Sequence, residues 1–167
     1  YIKYLNTYEI GLAMNTLEKF FWNFCDNYIE IVKHRLYRPE EFGDKARYSG
    51  QKTIYILLLK LLQTFSIYFP FVTEEIYQEI YKENVSVHTT RLIPLEYDFK
   101  EETNVGDMLV EIVSSVRGVK TNNSVSLKTI VKDIKIGVNK TVEDAIKKAE
   151  KDIKATLFIE NLELTNI

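Results

Sequence analysis

Cationic and aromatic side chains are the residues of this sequence whose types and spacing suit binding chemistry. Lys33, His34, Arg35, Tyr37 and Arg38 fall within six consecutive positions. Lys and Arg bind phosphate groups, and aromatic rings stack on unpaired nucleic-acid bases. The same cations would also complement the negative end of a helix dipole, so a purely structural role remains open for each residue.

Two further groups of the same character follow along the chain. Their members are Arg47, Tyr48 and Lys52, and then Arg117, Lys120, Asn122 and Asn123. Tyrosines interleaved with cations favour a nucleic-acid ligand, whereas helix-end charge and an Asn-based turn are the alternative for the second group. The lysines of 147–154 are balanced by acidic residues, which indicates a solvated helix face.

Motifs for catalysis or metal binding are absent from the sequence. It has no glycine-rich phosphate loop, no histidines at metal-binding spacing and no nucleophile elbow. His34 and His88 lack a Cys or Ser partner nearby in sequence, and the single Cys25 excludes an internal disulfide. Adjacent Glu74 and Glu75 would diverge by about 100° on a helix, so they suit a helix start better than acid–base work. We expect no catalytic residue, metal or cofactor in this chain.

The composition predicts a folded protein of the cytoplasm. Apolar residues make up 46% of the 167 positions, and the net charge of -2 excludes a strongly cationic surface overall. Lys60 and Gln63 interrupt the most apolar run, 54–69, which is shorter than the ~20 residues of a membrane span. The chain opens at Tyr1 rather than Met, and we treat it as a segment of a longer protein.

Apolar spacing of three and four residues predicts four helices that could close as an antiparallel bundle. They are expected at about 10–38, at 51–68, from a Thr73 cap onward, and at 105–120. A charged linker from Pro39 to Gly50 and an extended connection from Asn84 to Glu102 would join them. On the first helix, Phe21, Phe24 and Tyr28 lie on the apolar stripe and are expected in the core.

The pattern changes after Asn123. Ile134, Ile136 and Val138 alternate with polar residues or Gly, as in a half-buried strand. Thr141 with Asp144 resembles a capping box for a helix that reaches Ile153, and 157–164 suggests one or two further strands. The predicted fold is therefore mainly α: a helical bundle at 1–123, followed by a small α+β subdomain at 124–167.

Segments 21–30 (FWNFCDNYIE) and 69–77 (FPFVTEEIY) resemble two sequence blocks of valyl-tRNA synthetases, which are class I aminoacyl-tRNA synthetases. Segment 21–30, Phe-Trp-Asn-Phe-Cys-Asp-Asn-Tyr-Ile-Glu, is similar to their Phe-Cys-Asp-Trp-Tyr-Ile-Glu signature, with Asn27 in the place of Trp. Segment 69–77, Phe-Pro-Phe-Val-Thr-Glu-Glu-Ile-Tyr, resembles their Pro-Phe-(Ile/Val)-Thr-Glu-Glu block. Weaker matches are 86–88 and 116–123. Isoleucyl enzymes carry a looser version of the first signature and are the nearest alternative.

The resemblance implies an anticodon-binding helical bundle whose partner is the anticodon stem-loop of tRNA(Val). Valine activation with ATP and Mg²⁺ would occur in a catalytic domain of the same polypeptide, because the His-Ile-Gly-His and Lys-Met-Ser-Lys-Ser motifs are not in this chain. The family's earlier helix with an Asn-Lys-Leu-Trp-Asn-like motif is also not present. A helical domain that only braces the catalytic body or docks a protein is the alternative from another functional class.

Overall fold

The structure, a computed structural model, describes residues 1–81, 84–93 and 99–166, and at 141, 142 and 166 it describes the backbone alone. The helices are α1 (Ile2–Asn6), α2 (Ile10–Asn23), α3 (Glu30–Tyr37), α4 (Pro39–Phe42), α5 (Asp44–Phe65), α6 (Pro70–Tyr81), α7 (Lys100–Asn122), α8 (Lys140–Lys148) and α9 (Glu150–Leu157). The strands are β1 (Val131–Val138) and β2 (Ile159–Asn166). This architecture confirms the predicted mainly α fold with a small α+β portion. Within the described ranges, no helix is both long enough and apolar enough to cross a bilayer.

The first predicted helix contains a change of helical geometry. A π-helical turn at Phe24–Ile29 separates α2 from α3, and it coincides with the first of the two sequence blocks. Such turns arise as local insertions into α-helices and shift which side chains face the core. The rings of Phe24 and Tyr28 stack here with centroids 5.6 Å apart, and Phe24 is buried. The predicted core role of this aromatic stripe is therefore confirmed for Phe24.

Several boundaries of the predicted helices are wrong. α7 begins at Lys100 rather than near residue 105, inside the connection predicted to reach residue 102. The stretch from Pro39 to Gly50 is not a linker: Pro39 opens α4, and α5 begins at Asp44. Pro suits the first position of a helix, and the break between the two helices is at Gly43, whose φ of +85° favours glycine. Likewise α6 begins at Pro70, so Thr73 does not cap it. The buried Thr73 hydroxyl instead donates to the carbonyl of Phe69 at 2.8 Å.

The chain divides into two compact units that each use two separate segments. Unit 1 comprises Tyr1–Ile29 with Lys45–Glu96, and unit 2 comprises Glu30–Asp44 with Tyr97–Ile167. The predicted domain boundary after Asn123 stays a prediction, because compactness and independent folding are different properties.

Unit 1 is a helical unit with two buried apolar clusters. The first joins α2 and the π-helical turn to α5, and the second joins α5 to α6 and the following 3-10 turn. Their buried members are Leu17, Phe24 and Leu61, and then Leu62, Tyr77, Tyr81 and Val87. The buried Tyr81 keeps a hydrogen-bond partner, because its hydroxyl donates to the backbone carbonyl of Tyr55 at 2.7 Å.

Unit 2 contains a β-α-β arrangement. The strands are parallel, with Val131 opposite Ile159 and Val138 opposite Asn166. Parallel neighbours require a long crossover, which α8 and α9 supply, and α9 also packs against α3 and α7. The single helix predicted to reach Ile153 is thus two helices, which divide at Ala149. The predicted capping box at Thr141 lies outside the described side chains.

A carboxylate in the second sequence block fastens a loop to α6. Glu74 accepts hydrogen bonds from the Ser86 hydroxyl at 2.8 Å, the Val87 amide at 2.9 Å and the Gln78 amide at 2.8 Å. The hydrogen bonds from Gln78 and Ser86 lower the pKa of Glu74. The residue therefore has a structural explanation, namely docking segment 86–88 onto the helix.

We expect the Glu74→Gln variant to be less stable than the wild-type chain near neutral pH, because an amide cannot accept all three bonds. A lowered folded-state pKa contributes stability that is present above the unfolded value, about 4.3, and is lost as pH falls through the folded value. The deficit in urea midpoint should therefore shrink in acid. Glu75→Gln, at the exposed neighbour, is the matched control, and an equal deficit at both pH values would contradict this role.

Candidate functional site

The Lys120 side chain is directed into unit 2. It is 5% exposed, and its ammonium donates to the backbone carbonyls of Leu127 at 3.0 Å, Thr129 at 2.7 Å and Leu157 at 2.7 Å. Burial lowers the pKa of Lys120, with a further contribution from Arg117. An ammonium has three N–H donors, and all three are used here. No donor is left for a phosphate.

The Arg35 guanidinium is also engaged within unit 2. Its guanidinium forms a bidentate pair with Asp152 of α9, with nitrogen–oxygen distances of 2.6 Å and 2.5 Å. Asp152 is only 3% exposed, so the pair links α3 to α9 within unit 2. Two parallel bonds between charged groups fix both position and orientation.

The buried partner of Arg35 is a residue that the sequence analysis missed. The balance of acidic and basic residues around 147–154 predicts a solvated position for Asp152. The sequence did contain a signal, because Asp152 lies three residues after Ala149 and four before Thr156, which is the spacing of one helix face. In the structure these three residues and Ile153 are buried.

His34 is buried and has an unsatisfied ring nitrogen. Its Nε2 has no hydrogen-bond partner, and its ring meets the Phe158 ring edge-on at 6.4 Å between centroids. Burial lowers the pKa of His34, and the charges of Arg38 and Lys33 act in the same direction, whereas Glu41 and Glu30 oppose them. The neutral imidazole is therefore the form that suits the folded chain.

Two of the predicted cationic groups meet at one carboxylate. Lys33 of α3 and Arg117 of α7 both contact the same Glu30 oxygen, at 2.6 Å and 3.5 Å. The hydrogen bond from Lys33 is the main cause that lowers the pKa of Glu30. Both cations keep about a third of their side-chain surface exposed, so they remain accessible at the edge of this cluster.

The remaining candidates are exposed. In two places a tyrosine and an arginine are neighbours in sequence: Tyr37–Arg38 in unit 2 and Arg47–Tyr48 in unit 1. Tyr37 is 81% exposed and Tyr48 is 66% exposed, which is far more than packing in a core would give. Lys52 lies over the Tyr55 ring at 5.9 Å. Asn122 is exposed at the end of α7.

Comparisons with known proteins identify the family of this chain. A family model described as the anticodon-binding domain of tRNA ligase matches residues 1–136. A valine–tRNA ligase from Wolbachia sp. subsp. Brugia malayi is 32% identical over 93% of the chain, and one from Rickettsia rickettsii (strain Sheila Smith) is 38% identical over 79%. The chain spans 18% and 16% of the lengths of these two relatives.

We expect Lys120→Met to destabilise unit 2 strongly, by about 2 kcal/mol or more, because the buried carbonyl of Leu157 and the part-buried carbonyls of Leu127 and Thr129 lose a charged donor. Urea unfolding followed by circular dichroism measures the change. Lys148→Met removes an exposed lysine of the same unit and should leave the midpoint nearly unchanged. Equal midpoints for the two variants would refute the structural role of the buried ammonium.

The buried His34 predicts a pH dependence of stability. Because the pKa of His34 is lowered on folding, the wild-type chain should lose stability as pH falls below about 6.5. The total loss is about 1.4 kcal/mol for each pH unit by which the folded-state pKa lies below the unfolded-state pKa. His34→Leu removes the titrating group and should flatten the profile between about pH 7.5 and pH 5. A His34→Leu profile that runs parallel to that of the wild type would exclude His34 as the cause of the pH dependence.

Proposed function

We propose, from the premise that this chain belongs to the family of anticodon-binding domains of tRNA ligases, that it recognises the anticodon stem-loop of tRNA(Val). The relatives named above are valine–tRNA ligases, which supports valine over isoleucine. In this proposal, a catalytic domain elsewhere in the same cytoplasmic polypeptide joins valine to tRNA with ATP and Mg²⁺. The residues present here bind RNA and perform no chemical step.

The observation that carries the proposal is the exposure of the two tyrosine–arginine pairs. An exposed ring can stack on an unpaired base of the loop, and the adjacent guanidinium can contact phosphate or stack as well. Arg38 is paired with Glu41 at 3.5 Å, and both side chains are about half exposed. An ion pair of this kind contributes little in water, so Arg38 can exchange its partner for a phosphate.

We restrict the proposed RNA contacts to side chains that the chain leaves accessible. Lys120 and Arg35 are committed to carbonyls and to Asp152, and His34 is enclosed. We therefore assign to them the positioning of the surface rather than contact with RNA. The proposed contacts are Lys33, Tyr37, Arg38, Arg47, Tyr48, Lys52, Arg117 and Asn122.

Removing either exposed pair should weaken binding of a tRNA(Val) anticodon hairpin. Loss of a stacked base costs about 1–3 kcal/mol, so Tyr37→Ala and Tyr48→Ala should each reduce affinity roughly fivefold or more. Arg38→Ala and Arg47→Ala should also lower the slope of log affinity against log salt by about 1 for each phosphate that is no longer neutralised. Fluorescence anisotropy over a series of salt concentrations measures both quantities.

Two control variants match these changes. Tyr8→Ala removes a tyrosine that is 88% exposed and lies beside Thr7 and Glu9 rather than a cation. Lys132→Ala removes an exposed charge from β1. A hairpin with an altered anticodon should bind the wild-type chain more weakly. Equal binding of all hairpins would favour a role that only braces the catalytic domain or docks a protein.

A further inference from the structure

A concave surface of unit 2 brings together cations from separate elements. The cavity has a volume of about 620 Å³, which lies within the ~300–1,000 Å³ typical of ligand sites. Its lining contains Arg38 from the end of α3, Lys147 and Lys148 from α8, and Lys151 and Lys154 from α9. Three carboxylates share the wall, so the cavity is net positive although the whole chain is net negative.

Three of these cations, Arg38, Lys148 and Lys154, are held loosely, whereas Lys147 forms a close ion pair with Glu143 at 2.6 Å. Lys154 lies 3.8 Å from Glu150, and Arg38 lies 3.5 Å from Glu41, with all four side chains substantially exposed. Exposed ion pairs of this length contribute little and are easily exchanged. Within the described part of the chain, Lys148 has no ion pair. A phosphate could therefore take these cations without leaving a buried charge unpaired.

Lys151 and the aromatic residues of the cavity form its fixed part. The Lys151 ammonium donates to the backbone carbonyl of Glu41 and lies 5.3 Å from the centre of the Phe42 ring. Phe158 contributes a second ring to the lining. Walls of low polarity strengthen the field of the cations around them. The combination of exchangeable cations and apolar surface suits a sugar–phosphate backbone, which carries both an anion and an apolar ribose face.

We infer that this cavity binds the backbone of the same RNA, so that α8 and α9 extend the unit 2 interface beyond the Tyr37–Arg38 pair. The inference rests on the proposed function, and it adds Lys148 and Lys154 to the RNA contacts. Arg38 connects the two regions, because it adjoins Tyr37 and also lines the cavity. Contacts to phosphate position an RNA without reading its sequence. The cavity therefore strengthens binding equally for every anticodon.

The test titrates the 167-residue chain against two labelled hairpins, one with the tRNA(Val) anticodon and one with an altered anticodon. Lys148→Glu should weaken binding to both hairpins by the same factor, roughly tenfold at low salt, and lower the salt slope by about 1. Lys154→Ala should act in the same direction with a smaller effect. Lys132→Glu makes the same change of charge at an exposed position of β1 outside the cavity and should have little effect.

The possible outcomes separate this inference from the proposed function. Equal losses for both hairpins with Lys148→Glu, and not with Lys132→Glu, support the cavity. If Lys148→Glu binds like the wild-type chain while the wild type still prefers the tRNA(Val) hairpin, the cavity is overturned and the proposed function stands. If the wild-type chain binds neither hairpin, both are overturned. Unchanged circular dichroism and urea midpoints for Lys148→Glu establish that weaker binding reflects the removed cation rather than unfolding.

Discussion

Unit 2 depends on an ammonium group enclosed by backbone carbonyls. Lys120, near the end of α7, reaches the segment before β1 and the last residue of α9 at once. Removing an ammonium from water is costly, and three charge-assisted hydrogen bonds offset that cost only while all three carbonyls stay in place. The carbonyl of Leu157 also carries the negative end of the α9 dipole. The cation thus favours one mutual arrangement of α7, α9 and the start of β1.

Phe158, the residue after Leu157, adopts a strained backbone conformation that its contacts within unit 2 maintain. Phe158 ends α9 with a φ of +57°, a left-handed conformation that is unfavourable for a residue with a bulky side chain. Its ring lies 5.9 Å from the Lys120 nitrogen, and its carbonyl accepts a hydrogen bond from the Val131 amide at the start of β1. These contacts hold the strained residue in place and direct the chain into β2.

Sequence reasoning found the elements better than it found their partners. Apolar spacing located most helices and the alternation of Ile134, Ile136 and Val138 in β1, because burial against a neighbour imposes those periods directly. It could not foresee that Arg35 pairs with Asp152, since the two are far apart in sequence and α3–α9 packing alone brings them together. For the same reason, the sequence placed Lys120 among the candidate RNA contacts, although the fold encloses its side chain.

Some residues of the motifs that carried the family resemblance have structural roles. Phe24 and Tyr28 stack in the π-helical turn, and Glu74 holds a neighbouring loop, so these three side chains support the fold. The residues proposed to touch RNA lie outside these blocks, on exposed positions of α3, α5 and α7 or at their ends. Scaffold residues satisfy many contacts at once, whereas exposed residues satisfy few within the chain. Motif matching therefore reveals the frame of this domain more readily than its ligand contacts.

The 117 positions between Arg35 and Asp152 also have a consequence for synthesis on the ribosome. At about 5–20 residues per second, α3 leaves the ribosome roughly 6 to 23 seconds before its partner in α9. During that interval, the apolar face of α3, including Ile31 and Val32, lacks the helix that covers it. The pace of translation across the intervening codons therefore sets how long this apolar face stays uncovered.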